Sequence, residues 1–289
     1  MRVLTAFALL SIALHASASL ADCTPRSLRL AVIPIKSSEQ MIAEHQPLLE
    51  RLSQAAGVPV ELVIAPSYES VVDAIVSGGA DLARLGPASY MLAHRRDPRI
   101  EPFATFTLSA GPYTPAGNHY QALLLTRAEG PDDYAALRDK RVALSDPAST
   151  SGSLVPQVEF AAQVGGPLSS YFGALVYAGT HDKALEALLA GRVDAAFVAS
   201  ERADAYLADH HLPAERFKAL WRSKPIYYDP YVFSATLCPA LKQRLRKAML
   251  DDPQALAGFV ASQDASGLVP VSQAEYAPLE RLMDASNSR

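Results

Sequence analysis

Residues 28–94 read LRLAVIPIKSSEQMIAEHQPLLERLSQAAGVPVELVIAPSYESVVDAIVSGGADLARLGPASYMLAH. Three short apolar runs, at 28–34, 58–66 and 80–85, alternate with segments whose apolar residues recur at helical spacing. Runs of this length bounded by Pro or Gly fit strands buried on both faces. In residues 37–56, Ile42, Leu48, Leu49 and Leu52 fall near one helical face, and Gly57 is the stop signal. Residues 68–77 form a shorter helix ended by Gly78-Gly79, and 87–94 begin a third with Pro87 in its first turn. Strand and helix alternating three times predict a parallel sheet with helices on both faces.

Downstream the same grammar continues. Strands are expected at 120–127, 140–144, 173–176, 195–198 and 231–237. Helices are expected at 149–164, 181–190, 201–209, 239–250, 253–262 and 272–285. Two irregular joints interrupt the order: LSAGPYTPAGN at 108–118 and SKPIYYDP at 223–230. Two joints imply two lobes connected twice. The first lobe is then discontinuous, 24–112 plus 224–289, and the second is 113–223. This is a clamshell, with a ligand expected at strand C-termini in the cleft between the lobes.

The composition is that of a globular chain: 289 residues, 49% hydrophobic, 19% charged and a net charge of −4. The slightly acidic balance argues against nucleic acid as a partner. It leaves a small anion open, because local dipoles bind an anion whatever the net charge. Residues 1–21 read as a cleavable export signal, with Arg2, an apolar run at 3–14 and the small-x-small triplet Ser19-Leu20-Ala21. That run, about 12 residues, is too short to cross a bilayer core of ~30 Å. Asp22 stands where a lipidated Cys23 would want a small residue. In an oxidising compartment the two cysteines, Cys23 and Cys238, are either both free or joined. Two lone thiols are a liability there, which favours a Cys23–Cys238 disulfide. Two cysteines are too few for a disulfide scaffold or a structural zinc site.

The most informative motif is DPASTSGSLVP at 146–156, just after a strand and just before a helix. Ser149, Thr150 and Ser151 put three hydroxyls at the helix start, where backbone N–H groups lack partners and the dipole adds about half a positive charge. That composition suits an oxyanion, although Ser and Thr are also ordinary helix caps. Tyr68 and Tyr90 follow strands at comparable places, as cleft donors or as packing tyrosines. His181, in GTHD at 179–182, opens a helix after a strand and could complement an anion when protonated. Glu201 and Asp229 are acids near the same edge. They suit a ligand that also carries an amine or an acidic hydroxyl. There is no G-x-S-x-G, P-loop, G-x-G-x-x-G, H-E-x-x-H or C-x-x-C motif, so catalysis, a metal and an organic cofactor are not expected.

These motifs resemble those of the periplasmic solute-binding proteins of phosphonate, phosphite and phosphate ABC transporters, which have the type II periplasmic-binding-protein fold. The resemblance spans nearly all of the chain after the export signal. It rests on GPASY at 86–90, DPASTSG at 146–152, GTHD at 179–182, GRVDAA at 191–196 and Asp229-Pro230. It implies an α/β fold of two lobes, each a mostly parallel sheet flanked by helices. It also implies a periplasmic monomer that captures a phosphorus oxyanion and delivers it to an ABC permease. Ser149, Thr150 and Ser151 would grip the oxyanion, with Tyr68, Tyr90 and His181 completing the shell. Glu201 and Asp229 would hold an amine or a protonated ligand oxygen, which favours an aminoalkylphosphonate. Arg84, in place of an apolar or aromatic residue, is a possible extra anion contact. A sensor subunit serving a histidine kinase and an enzyme on the same clamshell fold are the rival readings.

Overall fold

The structure, a computed structural model, describes residues 25–287. The export signal at 1–21 and Cys23 lie outside the described residues. Among the described residues, thirteen strands form three sheets. They are β1 (Leu28–Val32), β2 (Val60–Ile64), β3 (Leu82–Arg84), β4 (Glu101–Leu108), β5 (His119–Tyr120), β6 (Ala122–Arg127) and β7 (Arg141–Leu144). They continue as β8 (Ala174–Tyr177), β9 (Ala195–Ala199), β10 (Phe217–Arg222), β11 (Ile226–Tyr227), β12 (Pro230–Phe233) and β13 (Ala265–Pro270). The first large sheet runs β13-β4-β12-β3-β1-β2, and the second runs β10-β6-β9-β7-β8.

Strands β1, β2 and β3 are mutually parallel, as the alternation from residue 28 onward requires. The departures from parallel order have one pattern. β12 is antiparallel to both β3 and β4, and β6 is antiparallel to β9. Each is the strand that the chain enters directly from a joint. A chain arriving from the other sheet enters at the cleft end, where the parallel strands finish, so it must run backwards. The residues just ahead of β6 and β12 therefore stand at the same edge as the C-termini of β1, β3, β7, β8 and β9. Both sheets are mixed for this reason, with β13 and β10 added at their outer edges by antiparallel pairing.

The two joints pair with each other. β5 and β11 form a short antiparallel ribbon, with Tyr120 opposite Ile226 and His119 opposite Tyr227. Asn118 reinforces it: its carbonyl accepts the Tyr228 N–H at 2.9 Å and its Nδ2 donates to the Tyr227 hydroxyl at 2.7 Å. Each large sheet packs its own aromatic core. Phe103 stacks on Phe233 with centroids 3.8 Å apart, and Phe160 meets Phe197 and Trp221 edge-on at 5.3 and 5.4 Å. Burying such a ring contributes about 1.5–3 kcal/mol.

The helix Ser38–Ala56 is capped by the Ser37 hydroxyl, and Gly57 closes it at a φ of 76°. Its buried stripe is Met41, His45, Leu48, Leu52 and Ala56, whereas Ile42 is 54% exposed. The register of the stripe is thus one residue away from the expected start. Among the described residues, no helix is long and apolar enough to cross a membrane.

Candidate functional site

Five helices begin at the shared edge: Tyr68–Ser77, Pro87–Arg96, His181–Leu189, Ser200–Asp209 and the helical stretch that opens at Thr150. Their N-termini point unpaired N–H groups and partial positive charge toward one place. There they enclose a small cavity whose lining includes Tyr68, Gly86, Ser149, Thr150, Ser151 and His181. Arg84, Tyr120, Glu201, Arg202, Tyr228 and Asp229 line it too.

The Thr150 helix starts as a π-helix: the Leu154 N–H reaches back to Ser149 O at 3.0 Å. Such wide turns recur at functional sites because they re-aim side chains. Ser149 is the cap, its Oγ accepting the Gly152 N–H at 3.1 Å. Thr150 and Ser151 follow it, buried, with no preceding turn to accept their amides. Gly152 sits so close to the preceding strand end that a Cβ there would lie 2.1 Å from Ser145 Oγ. The Thr150 Oγ1 accepts the Ala88 N–H at 2.8 Å, and the Ser89 hydroxyl donates to Ala148 O at 2.8 Å. Both bonds join the first sheet's helices to the second sheet's loop, so the cavity is closed between them.

His181 is 6% exposed. Its Nδ1 accepts the Ala199 N–H at 3.2 Å and lies 2.8 Å from Ser145 Oγ. With Nδ1 accepting, the proton belongs on Nε2, which faces Ser149 Oγ at 3.4 Å. Burial, helped by the Arg202 charge, lowers its pKa to about 3. The side chain is therefore a neutral N–H donor near pH 7, and the expectation of a protonated imidazole gives way. Desolvation also holds Tyr68, Tyr120 and Tyr228 well above the usual phenol range, so they too are neutral donors.

The cavity also carries two acids. Burial raises Glu201 to about 8, with the Asp229 charge adding to the rise, and burial raises Asp229 itself to about 6. Glu201 Oε2 is enclosed without a hydrogen-bond partner. Arg202 beside it is occupied by Asp182, both of whose oxygens accept from Nη2 at 2.9 Å.

Of the expected site residues, Tyr68, Arg84, Ser149, Thr150, Ser151, His181, Glu201 and Asp229 all line this cavity. Tyr90 does not. It is the fourth residue of its helix, turned away from the cleft that Ala88 and Ser89 face. Its hydroxyl donates to Gln273 and its ring packs edge-on against Tyr276 at 5.2 Å. Tyr90 is a packing residue between the helix Pro87–Arg96 and the C-terminal helix Gln273–Asn287. Three polar lining residues escaped the sequence reading. Tyr120 and Tyr228, 5.4 Å apart edge-to-face, directly precede the reversed strands, and Arg202 adjoins Glu201. The adjacency of Tyr228 to Asp229 in the second joint was the available signal. Cys238 stands at the start of the helix Pro239–Leu250, remote from the cavity lining. Among the described residues no group of His, Cys, Asp or Glu could hold a metal ion.

Residues 30–276 match the family model described as the periplasmic substrate-binding protein of a phosphonate ABC transporter. The phosphate-import protein PhnD of Mycolicibacterium smegmatis is 28% identical over 288 residues, covering 93% of this chain and 88% of its own. The phosphonates-binding periplasmic protein of Escherichia coli is 27% identical over 265 residues, covering 86% and 75%. A crystal structure of a phosphonate-transporter binding protein from Pseudomonas aeruginosa superposes with a TM-score of 0.81 at 22% identity, covering 90% of this chain and 86% of its own. A Prochlorococcus marinus protein solved with methylphosphonate gives 0.79 at 16% identity, covering 91% and 99%. The two-lobed type II binding-protein fold follows from these likenesses. This chain belongs to the family of periplasmic substrate-binding proteins of phosphonate ABC transporters.

Proposed function

We propose that the cavity binds the phosphonate headgroup of an aminoalkylphosphonate and that hinge closure about the β5–β11 ribbon presents the loaded form to an ABC permease. The lobes would be 24–112 plus 224–289 and 113–223, acting as a monomer in the periplasm after removal of residues 1–21. A Cys23–Cys238 disulfide would tie the start of the exported chain to the first lobe. The observation that carries the reading is the mixed lining of the cavity. Helix N-termini with Thr150, Ser151 and neutral donors line it together with Glu201 and Asp229. The donors suit a phosphorus oxyanion. The acids suit a group that donates, namely an ammonium or a P–OH.

The same acids support a second ligand, phosphate, which keeps a P–OH near neutral pH, and the M. smegmatis relative is named for phosphate import. Sulfate has no proton to offer Asp229 and should be refused. The test is a thermal-shift panel on protein unfolded and refolded to strip carried ligand. It contains 2-aminoethylphosphonate, methylphosphonate, phosphate, phosphite and sulfate. A ligand at ~100 times its Kd adds about 2.7 kcal/mol, a rise of about 2–4 °C for a chain of this size. A shift with 2-aminoethylphosphonate above all others supports the proposal. A shift with phosphate alone moves the function to inorganic uptake, and a shift with sulfate alone removes the role given to the acids.

A further inference from the structure

Arg84 ends β3 with 3% of its surface exposed, and among the described residues no carboxylate stands within ion-pair distance of it. Neutral groups hold its guanidinium. Nη1 donates to Gln263 Oε1 at 2.8 Å and Nη2 to the Tyr228 hydroxyl at 3.1 Å. The Phe106 ring lies 5.0 Å from Cζ, and Nε has no partner. The Asp229 and Glu201 carboxylates act on it only from a distance, without direct contact, and a buried cation paired so loosely is costly to keep. The neighbouring cations are already spent: Lys36 on Glu44 at 2.8 Å and Arg202 on Asp182. Gln263 is itself fixed, its Nε2 donating to Glu44 Oε2 at 3.0 Å, so its Oε1 is aimed to orient Arg84.

The position of Arg84 gives this charge a use. Arg84, Glu201, Arg202 and Tyr228 line the oxyanion cavity and also a second chamber that continues from it toward Lys36 and Gln263. Thr150, Ser151 and His181 line only the first. Glu201, whose enclosed Oε2 lacks a partner, also borders an outer cavity of about 390 Å³ beside the first joint. Where the two chambers meet, then, a guanidinium with an unpartnered Nε and a carboxyl with one unpartnered oxygen line the same space. That is the complement of a zwitterion. An aminoethyl group would meet Glu201 and leave the Arg84 Nε unpartnered.

We propose that the ligands of this protein are phosphonates whose substituent carries an ammonium and a carboxylate together, the carboxylate on Arg84 and the ammonium on Glu201. The inference rests on the phosphonate reading of the seat given above. Isothermal titration of the stripped protein with methylphosphonate, 2-aminoethylphosphonate and 2-amino-3-phosphonopropanoate tests it. The carboxylate-bearing ligand should bind at least about tenfold tighter than 2-aminoethylphosphonate, as one charge-assisted contact warrants. Arg84→Met should cost that ligand at least about tenfold more than it costs methylphosphonate. Gln263→Leu, which keeps the charge and loosens its aim, should narrow the same gap. Equal or weaker binding of the carboxylate-bearing ligand to unaltered protein overturns the inference, whether or not the variants fold. If methylphosphonate and 2-aminoethylphosphonate bind and the carboxylate adds nothing, only this inference falls. If no phosphonate binds, the seat reading falls with it.

Discussion

Thr150 Oγ1 accepts the Ala88 N–H at 2.8 Å, a bond that joins the proposed oxyanion seat to the helix Pro87–Arg96. The hydroxyl has one proton left to donate, and the cavity lies beside it. Seat and closure therefore share an atom. Thr150→Val keeps the shape and removes both the acceptor and the donor. It should weaken phosphonate binding by about 10- to 100-fold, as loss of a charge-assisted hydrogen bond does. The ligand-free unfolding midpoint should move little, because one neutral bond contributes only about 0.5–1.5 kcal/mol. Pairing it with Ser151→Ala should abolish binding on the same folded protein. Titration calorimetry beside circular dichroism reads both, and undiminished affinity in the double variant would remove the seat.

His181 sits at the first turn of its helix, takes a backbone N–H on Nδ1 and is enclosed. Each feature opposes a second proton, and its pKa falls to about 3 against 6.5 for a free imidazole. The sign of the consequence is fixed. Between pH 6.5 and 3 the unfolded chain binds a proton that the folded chain refuses, so this residue lowers stability as pH falls through that window. At pH 5 the penalty is about 2 kcal/mol relative to pH 7.5. His181→Gln should remove it, so the wild-type-minus-variant difference in urea unfolding free energy should shrink by that amount on going from pH 7.5 to 5. A constant difference, or an imidazole nitrogen shift that titrates near 6.5, would show that His181 is protonated as the sequence suggested.

Much of this site was legible because helix starts are punctuated. Ser149-Thr150-Ser151, Thr180-His181 and Ser67-Tyr68 announce caps after apolar runs, and a cap after a strand C-terminus lies at the cleft. What was not legible depended on chain direction and on helical phase. Tyr120 and Tyr228 reach the cavity only because β6 and β12 run backwards out of the joints, and no local pattern records that. Tyr90 follows Ser89 in a motif that reaches the cleft, but a turn of ~100° per residue carries its ring to the far side. The strands β4 and β13 were missed for a different reason. β4 contains Pro102, and β13 contains Gly267 and ends on Pro270, residues that read as loop and are tolerated near sheet edges and bulges.

Gly152 is a spacing requirement of the fold. A Cβ there would stand 2.1 Å from Ser145 Oγ, 2.5 Å from Ser145 Cβ and 3.0 Å from His181 Cε1. Ser145 cannot retreat without releasing His181, whose Nδ1 its hydroxyl meets at 2.8 Å. Gly152→Ala should cost about 1–3 kcal/mol, the range of overpacked buried sites, and should lower phosphonate affinity by moving the helix start. Adding Ser145→Gly should recover stability, since it removes the clashing atoms, but should recover affinity less, since His181 loses its support. Urea midpoints and titration calorimetry on the two variants decide it. A stable, fully binding Gly152→Ala protein would mean that the turn at 149–152 is free to shift.

Glu201 opens the helix Ser200–Asp209, where any acid is welcome to the dipole, so its role in the ligand needs a test that a helix cap would fail. Its Oε2 is enclosed and unpartnered, and burial raises its pKa to about 8. In the empty protein the folded state therefore holds a proton that the unfolded state has lost above pH 4.5. The stability it contributes is full below that pH and is lost as pH rises through 8. Glu201→Gln should flatten this slope, making the empty variant more stable than wild type at pH 8 by on the order of 4 kcal/mol and little different at pH 4.5. An ammonium changes the sign of the demand, because it favours the carboxylate. Glu201→Gln should thus weaken 2-aminoethylphosphonate by at least about tenfold and methylphosphonate much less, and wild-type binding of the amine should release close to half a proton at pH 8. Equal losses for both ligands, with no proton released, would reduce Glu201 to a cap.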